Sequence, residues 1–106
     1  MFLFQKNHID MILQGTKTQT RRNHKRARAK VGAVHQCRTE LFGKAHCHIK
    51  ITRVWQERLG AITALDAKKE GGYTRLQYIV GLIEMHECKI NVNSVLWCYE
   101  FELEKE

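Results

Sequence analysis

The chain has 106 residues, of which 43% are hydrophobic and 27% are charged, a balance that suits one small globular domain. No apolar run approaches the ~20 residues that a membrane-spanning helix needs. The apolar start of the chain ends at Gln5 and Lys6, which makes it too short for a secretory signal. We therefore expect a single domain over residues 1–106, in the cytoplasm and without a membrane partner.

Charge is segregated along the sequence, with a formal net charge of +7. No acidic residue occurs between Asp10 and Glu40, whereas acidic residues dominate the C-terminal part. The basic residues of the acid-free stretch are Lys17, Arg21, Arg22, Lys25, Arg26, Arg28, Lys30 and Arg38. Arginine suits bidentate contacts to phosphate, so this stretch predicts a basic surface that faces a polyanion. The alternative is a solvated loop that tolerates arginine.

The first predicted helix delivers a polar segment. Ile9 and Ile12 have helical spacing, Asn7 is a plausible N-cap, and Gly15 ends the helix in a left-handed conformation. The segment 15–22 reads Gly-Thr-Lys-Thr-Gln-Thr-Arg-Arg and presents donors suited to an anion or a polar base. In an extended conformation, its side chains alternate between two faces.

A β-hairpin and two short helices follow. Residues 31–41 and 45–55 are predicted strands that pair antiparallel around the turn 42–44. Thr63 with Asp66, and Thr74 with Gln77, have the spacing of helix N-terminal caps, and the glycine pair 71–72 separates the two helices. The apolar stripe predicted for the second of these helices comprises Leu76, Ile79, Val80 and Ile83.

The last predicted strand covers residues 94–103. Its odd-numbered positions are all apolar, while the alternate positions become acidic towards the end. Strands at both ends with helices between them predict an α+β fold, a small mixed or antiparallel β-barrel with two or three short flanking helices.

Five separated motifs in this order resemble the ASCH domain family over essentially the whole chain. The motifs are Gly15-x-Lys17-x-x-Thr20-x-Arg22, Gly32 at the start of a strand, Ile51-Thr52-Arg53-Val54, Asp66-Ala67-x-x-Glu70-Gly71 and Tyr99-Glu100-Phe101. The resemblance implies a PUA-like fold with a cleft between the barrel and its helices. It also implies that RNA or a nucleotide binds there. No cofactor is implied.

One branch of the family removes an acetyl group from the exocyclic amine of cytidine. The resemblance to it implies that Lys17, Thr20 and Glu70 carry the reaction. A threonine hydroxyl needs a base, and a desolvated lysine beside Arg21 or Arg22 has a lowered pKa that suits this role. Glu70 then transfers a proton to the leaving amine. The alternative is that Lys17 binds a phosphate, Thr20 bonds to backbone and Glu70 forms an ion pair.

The sequence also contains one group of metal-ligand residue types, His35, Cys37, His46 and His48. Four such ligands suit zinc if both pairs face the same side of the hairpin. A register slip of one residue sends the pairs to opposite faces, so the sequence assigns no metal site. The four cysteines are widely separated, and we expect free, buried thiols.

Two functions follow from these patterns. The first is a nucleic-acid-binding module in which a cleft accepts an unstacked base, with Tyr73 at its rim. The residues expected to contact the nucleic acid are Lys17, Arg21, Arg22, Lys25, Arg26, Arg28, Lys30, Arg53 and Tyr73. The second is an amidohydrolase that deacetylates an acylated cytidine nucleoside through Lys17, Thr20 and Glu70. A ribonuclease acting in the same cleft is a further alternative.

Overall fold

A five-stranded sheet and three α-helices build the protein, in a computed structural model that describes residues 1–105. The strands are β1 Phe2–Leu3, β2 Gln19–Arg22, β3 Val34–Arg38, β4 Cys47–Arg58 and β5 Val95–Leu103. The helices are α1 Lys6–Gln14, α2 Ala64–Gly71 and α3 Arg75–Met85, and a 3-10 turn at Leu59–Ala61 follows β4. The predicted α+β class is confirmed.

The sheet has the strand order β1-β3-β4-β5-β2. β1 runs parallel to β3, and the other three pairs are antiparallel, so the sheet is mixed. The sheet curls into a half-barrel and is not closed, because the edge strands β1 and β2 are not paired with each other. A side chain spans this gap: Arg22 Nη2 donates to the backbone carbonyl of Leu3 at 2.8 Å.

The predicted hairpin is confirmed, with different strand lengths. β3 is shorter than residues 31–41, and β4 extends to Arg58 instead of ending at residue 55. A bulge lies in β4 between Ile51 and Arg53, opposite β5. Beyond the bulge, β4 continues along β5 to Val95, so the two longest strands remain paired.

Two hydrophobic cores lie on opposite faces of the sheet. Tyr99 and Phe101 of β5 pack with Ile51 of β4 and with β1 and α1. Leu96 packs on the other face, against the apolar residues of α2 and α3. β5 is therefore covered on both faces over part of its length, whereas the sequence pattern predicts one apolar face.

The helix ends follow local sequence signals with one exception. α1 begins at Lys6 with Gln5 as N-cap, so the prediction of Asn7 as the cap is wrong. Gly15 ends α1 with a φ of 83°, as predicted. Thr63 caps α2 by accepting from the backbone N–H of Asp66. Thr74 opens α3 with a complete capping box.

The predicted apolar stripe of α3 is partly wrong. Ile79 is buried, but Leu76 and Val80 are exposed, and Tyr78 and Leu82 are the other buried residues of the helix. Tyr78 and Leu82 line the cavity described below, so this face of α3 is turned towards the cavity.

The cysteines are free thiols, with Cys37 and Cys98 buried, Cys47 half-buried and Cys88 exposed. The prediction of buried thiols is therefore correct for Cys37 and Cys98 and wrong for Cys88. Among the described residues, no helix combines the length and apolarity needed to cross a membrane.

Candidate functional site

A cavity of about 480 Å³ lies between the gap in the sheet and the helices α1 and α3. Its lining comes from the end of β1, from α1, from the segment 17–24, from the end of α2 and from α3. Six of the residues predicted from the sequence line it: Lys17, Thr20, Arg21, Arg22, Glu70 and Tyr73.

The backbone around Lys17 is fixed from both sides. After the left-handed turn at Gly15, the N–H groups of Thr16 and Lys17 both donate to the carbonyl of Met11, at 2.9 and 3.1 Å. The N–H of Thr18 then donates to the carbonyl of Lys69 in α2 at 2.7 Å. Lys17 therefore lies between α1 and α2 before β2 begins, and it does not share the strand alternation predicted for residues 17–22.

Lys17 is buried against Glu70. Its Nζ donates to the backbone carbonyl of Glu70 at 2.7 Å and lies 3.7 Å from the Glu70 carboxylate. The side chains of the two residues are 3% and 1% exposed. Burial lowers the pKa of Lys17, the Glu70 carboxylate offsets part of this shift, and the charge of Arg22 lowers it further. Lys17 is thus closer to the neutral form than an exposed lysine.

The carboxylate of Glu70 lies between two cations. Its Oε1 faces Lys17, and its Oε2 is 3.8 Å from Nε of Arg21 and has no hydrogen-bond partner among residues 1–105. Burial, together with this carboxylate, raises the pKa of the Tyr78 phenol well above its usual value. Glu70 therefore neutralises part of the positive charge of Lys17 and Arg21 in the cavity wall.

Arg21 is fully buried and paired with acidic residues. Its Nη1 contacts the Glu57 carboxylate at 2.9 Å, and Nη2 lies 3.7 Å from the carboxylate of Asp66. The same Nη1 donates to Cys98 Sγ at 2.9 Å. Burial raises the pKa of Cys98 to about 12, so this thiol is neutral. Because acidic partners surround Arg21, it differs from the open cation that the sequence predicts for phosphate contact.

Arg22 connects the two edges of the sheet and holds Thr20. Besides its bond to Leu3, its Nε donates to the Thr20 hydroxyl at 3.1 Å. The guanidinium also lies 4.8 Å from the centre of the Phe4 ring. Thr20 is 4% exposed and lines the cavity, where its hydroxyl is held by a cation.

Three histidines that line the cavity, His8, His24 and His86, are absent from the sequence-based predictions, and the first two bond to tyrosine hydroxyls. His8 on α1 bonds through Nε2 to the hydroxyl of Tyr73 at 2.9 Å. Burial, with smaller contributions from Lys17 and Arg22, lowers the pKa of His8 to about 4. No local signal marks His8 or His24, because the partner of each is more than 60 positions away in the sequence.

The basic segment, residues 23–30, adjoins the cavity. Asn23 and His24 line it, and the cations that follow point into solvent. Lys25, Arg26, Arg28 and Lys30 are all exposed, and within residues 1–105 none of them forms an ion pair. Arg53 does not line the cavity. It lies on β4 with its guanidinium 4.1 Å from the centre of the Trp55 ring.

The histidine and cysteine pairs of the hairpin lie on opposite faces of the sheet. Cys37 pairs with Cys47, and His48 pairs with Gln36. Directly paired residues share a face, so His48 lies on the face opposite Cys37. The arrangement that would bring four ligands together is therefore not present.

Comparison with solved structures gives the same fold. The chain is similar to the ASCH domain from Lactobacillus crispatus JV V101, with 21% identity, a TM-score of 0.69, and coverage of 96% of this chain and 76% of the other. It is also similar to a DUF984 protein from Enterococcus faecalis V583, with 15% identity, a TM-score of 0.69, and coverage of 91% and 66%. No protein-family model and no curated protein matches the sequence. The chain has an ASCH domain, PUA-like fold.

Replacing Glu70 tests the buried charge cluster. We expect Glu70→Gln to lower the free energy of unfolding by about 3 kcal/mol, because Lys17 and Arg21 stay buried without their shared carboxylate. Glu84→Gln on exposed α3 surface is the control and is expected to change it by less than ~0.5 kcal/mol. Urea unfolding at pH 7 measures both, and equal stability of the two variants would contradict this view.

The low pKa of His8 predicts a pH dependence of stability. In the unfolded chain this imidazole binds a proton below about pH 6.5, whereas in the folded protein it does so only near pH 4. The unfolded state therefore binds more protons in this interval, and stability falls as the pH drops from 6.5 to 4. His8→Gln should flatten this part of the profile, as measured by urea unfolding at half-unit pH steps. An unchanged profile would show that His8 titrates normally.

Proposed function

Since the chain has the fold of an ASCH domain, we propose that it binds RNA or a nucleotide, with an unstacked base in the cavity and phosphates on the basic segment. The main support is the continuity of the two features. Asn23 and His24 belong to both, and four exposed cations that form no ion pair with any described residue follow directly. Free arginine and lysine side chains beside a cavity suit a ligand with a polar ring and a charged backbone.

The size and lining of the cavity suit a base. A volume of about 480 Å³ falls within the range of small-molecule sites. The rings of Tyr73 and Tyr78, with centres 5.9 Å apart, form an aromatic wall on which a base can stack. Neutral His8 offers a hydrogen bond without adding charge. Arg53 lies outside the cavity, and its contact with nucleic acid stays a prediction.

Removing two cations of the basic segment tests the proposal. For the double variant Arg26→Ser with Arg28→Ser, we expect weaker binding of a labelled single-stranded RNA. We also expect the slope of log affinity against log salt concentration to fall by ~1.4, because each lost phosphate contact contributes ~0.7. Lys50→Ser, an exposed lysine of β4 outside the cavity lining, serves as the control and should leave both values unchanged.

Fluorescence anisotropy across a salt series measures these quantities. Binding that does not depend on salt, or equal effects of the double variant and the control, would refute the phosphate contacts. A wild-type protein that binds neither RNA nor a mononucleotide would refute the proposed function as a whole.

A second candidate function is deacetylation of an acylated cytidine nucleoside. It is favoured by the meeting of Lys17, Thr20 and Glu70 in one cavity, where Lys17 has a lowered pKa. In this reaction Lys17 accepts the proton of the Thr20 hydroxyl while the oxygen attacks the acyl carbon. Lys17 then passes this proton to the Glu70 carboxylate, 3.7 Å away, and Glu70 delivers it to the leaving amine as the bond from the acyl carbon to nitrogen breaks. Water hydrolyses the threonine ester, releases acetate and restores the hydroxyl.

The hydrolase candidate predicts which hydroxyl is needed. Thr20→Ala should lower turnover of N4-acetylcytidine by at least ~100-fold, because the nucleophile is lost. Thr18→Ala removes a neighbouring hydroxyl that does not line the cavity and should keep turnover within about twofold. Release of cytidine, followed by chromatography, measures both. Turnover that survives in Thr20→Ala would exclude Thr20 as the nucleophile.

A further inference from the structure

The basic segment has no regular secondary structure between Asn23 and Lys30, yet its backbone is held in place. The hydroxyl of Tyr99 accepts a hydrogen bond from the backbone N–H of Arg28 at 3.0 Å. The same hydroxyl lies 3.1 Å from Nδ1 of His24. One side-chain oxygen thus bonds to the segment at two points that are four residues apart.

The two bonds of this hydroxyl are compatible with each other. Burial, followed by the charges of Arg28 and Arg22, lowers the pKa of His24, so its imidazole is neutral at neutral pH. Since the N–H of Arg28 is a donor, the hydroxyl hydrogen is free to point at Nδ1 of His24. Nδ1 of His24 and the backbone N–H of Arg28 are then both hydrogen-bonded to the Tyr99 hydroxyl.

The ring of Tyr99 belongs to the core, and only its hydroxyl reaches the basic segment. Tyr99 is 0% exposed and packs edge-on against Phe2, with ring centres 5.2 Å apart. Its strand, β5, is paired on both sides, with β4 and β2. The position of the hydroxyl is therefore fixed by the sheet, whereas the basic segment that it bonds to has no strand pairing.

The remaining anchors of the segment lie at its two ends, with the paired strand β2 immediately before it. Ala29 packs against the core around Tyr99, and the N–H of Ala33 donates to the carbonyl of Lys30 at 3.1 Å. The part that carries Lys25 and Arg26 has neither kind of contact. Between Arg22, where β2 ends, and Ala29, the two bonds to Tyr99 are the described hydrogen bonds that keep Lys25 and Arg26 beside the cavity.

We infer that Tyr99 is a positioning residue, whose hydroxyl holds the exposed cations of the basic segment beside the cavity so that a polynucleotide contacts both at once. This inference rests on the proposed RNA binding and adds to it. A mononucleotide carries a phosphate at one position only, whereas a strand presents several phosphates in a row, which need cations at fixed positions. The preferred ligand is therefore a strand and not a single nucleotide.

Tyr99→Phe tests the inference, because it removes the hydroxyl and keeps the buried ring. We expect the affinity for a labelled single-stranded RNA to fall and the salt slope to decrease by at least ~0.7, the contribution of one phosphate contact. Affinity for cytidine monophosphate should change by less than twofold. Loss of protection of the Arg28 amide in hydrogen exchange should accompany these effects.

Two substitutions at Arg28 test the hydrogen bond to the Tyr99 hydroxyl without changing a residue of the core. Arg28→Gln and Arg28→Pro both remove the cation, but only proline also removes the N–H that bonds to Tyr99. We expect the proline variant to show the smaller salt slope. Because Arg28 is exposed, this comparison remains available if Tyr99→Phe does not fold.

The outcomes separate this inference from the proposed function. Suppose that wild-type protein binds RNA, that Tyr99→Phe keeps the salt slope of wild type, and that Arg28→Pro keeps the salt slope of Arg28→Gln. Tyr99 then does not position the segment. If wild-type protein binds cytidine monophosphate and RNA with equal affinity and equal salt slope, the strand preference is wrong. If wild-type protein binds neither, the proposed function fails, and with it the role of Tyr99.

Discussion

The ion pair between Glu70 and the two cations Lys17 and Arg21 is the interaction on which the cavity depends. All three side chains are almost inaccessible to solvent, so none can lose its partner and be hydrated instead. The three residues come from the turn after α1, from β2 and from α2. Their charges therefore hold the first helix, the edge of the sheet and the second helix around one space.

The buried position of Glu70 divides the basic residues into two groups, cations with an acidic partner and cations that face solvent. Lys17 and Arg21 are committed to Glu70, and Arg21 also pairs with Glu57 and Asp66. The cations of the basic segment have no acidic partner in the described chain. Lys17 and Arg21 are thus neutralised by acidic partners, whereas the cations of the basic segment carry positive charge that faces solvent. A ligand with a neutral ring and an anionic tail matches both regions.

The parts of the fold that local chemistry determines were predictable from the sequence. Gly15, Thr63 and Thr74 mark helix ends because their signals act over a few residues. The meeting of Lys17 with Glu70 followed only from the family resemblance, since 53 positions separate them. His8 and the burial of Arg21 were not predictable, because they depend on which side chains the curled sheet brings together. A run of basic residues does not show which member has an acidic partner.

The gap between β1 and β2 has a consequence for access to the cavity. Opening a closed barrel breaks a ladder of backbone bonds, several at once. Here the two edges are joined by one arginine, through its bond to Leu3 and its contacts with two aromatic rings. Because Leu3 and Arg22 both line the cavity, turning this one side chain widens the cavity at the gap while every strand keeps its neighbours. In this sheet a side-chain bond sets the width of the gap, whereas backbone hydrogen bonds keep the strands in place.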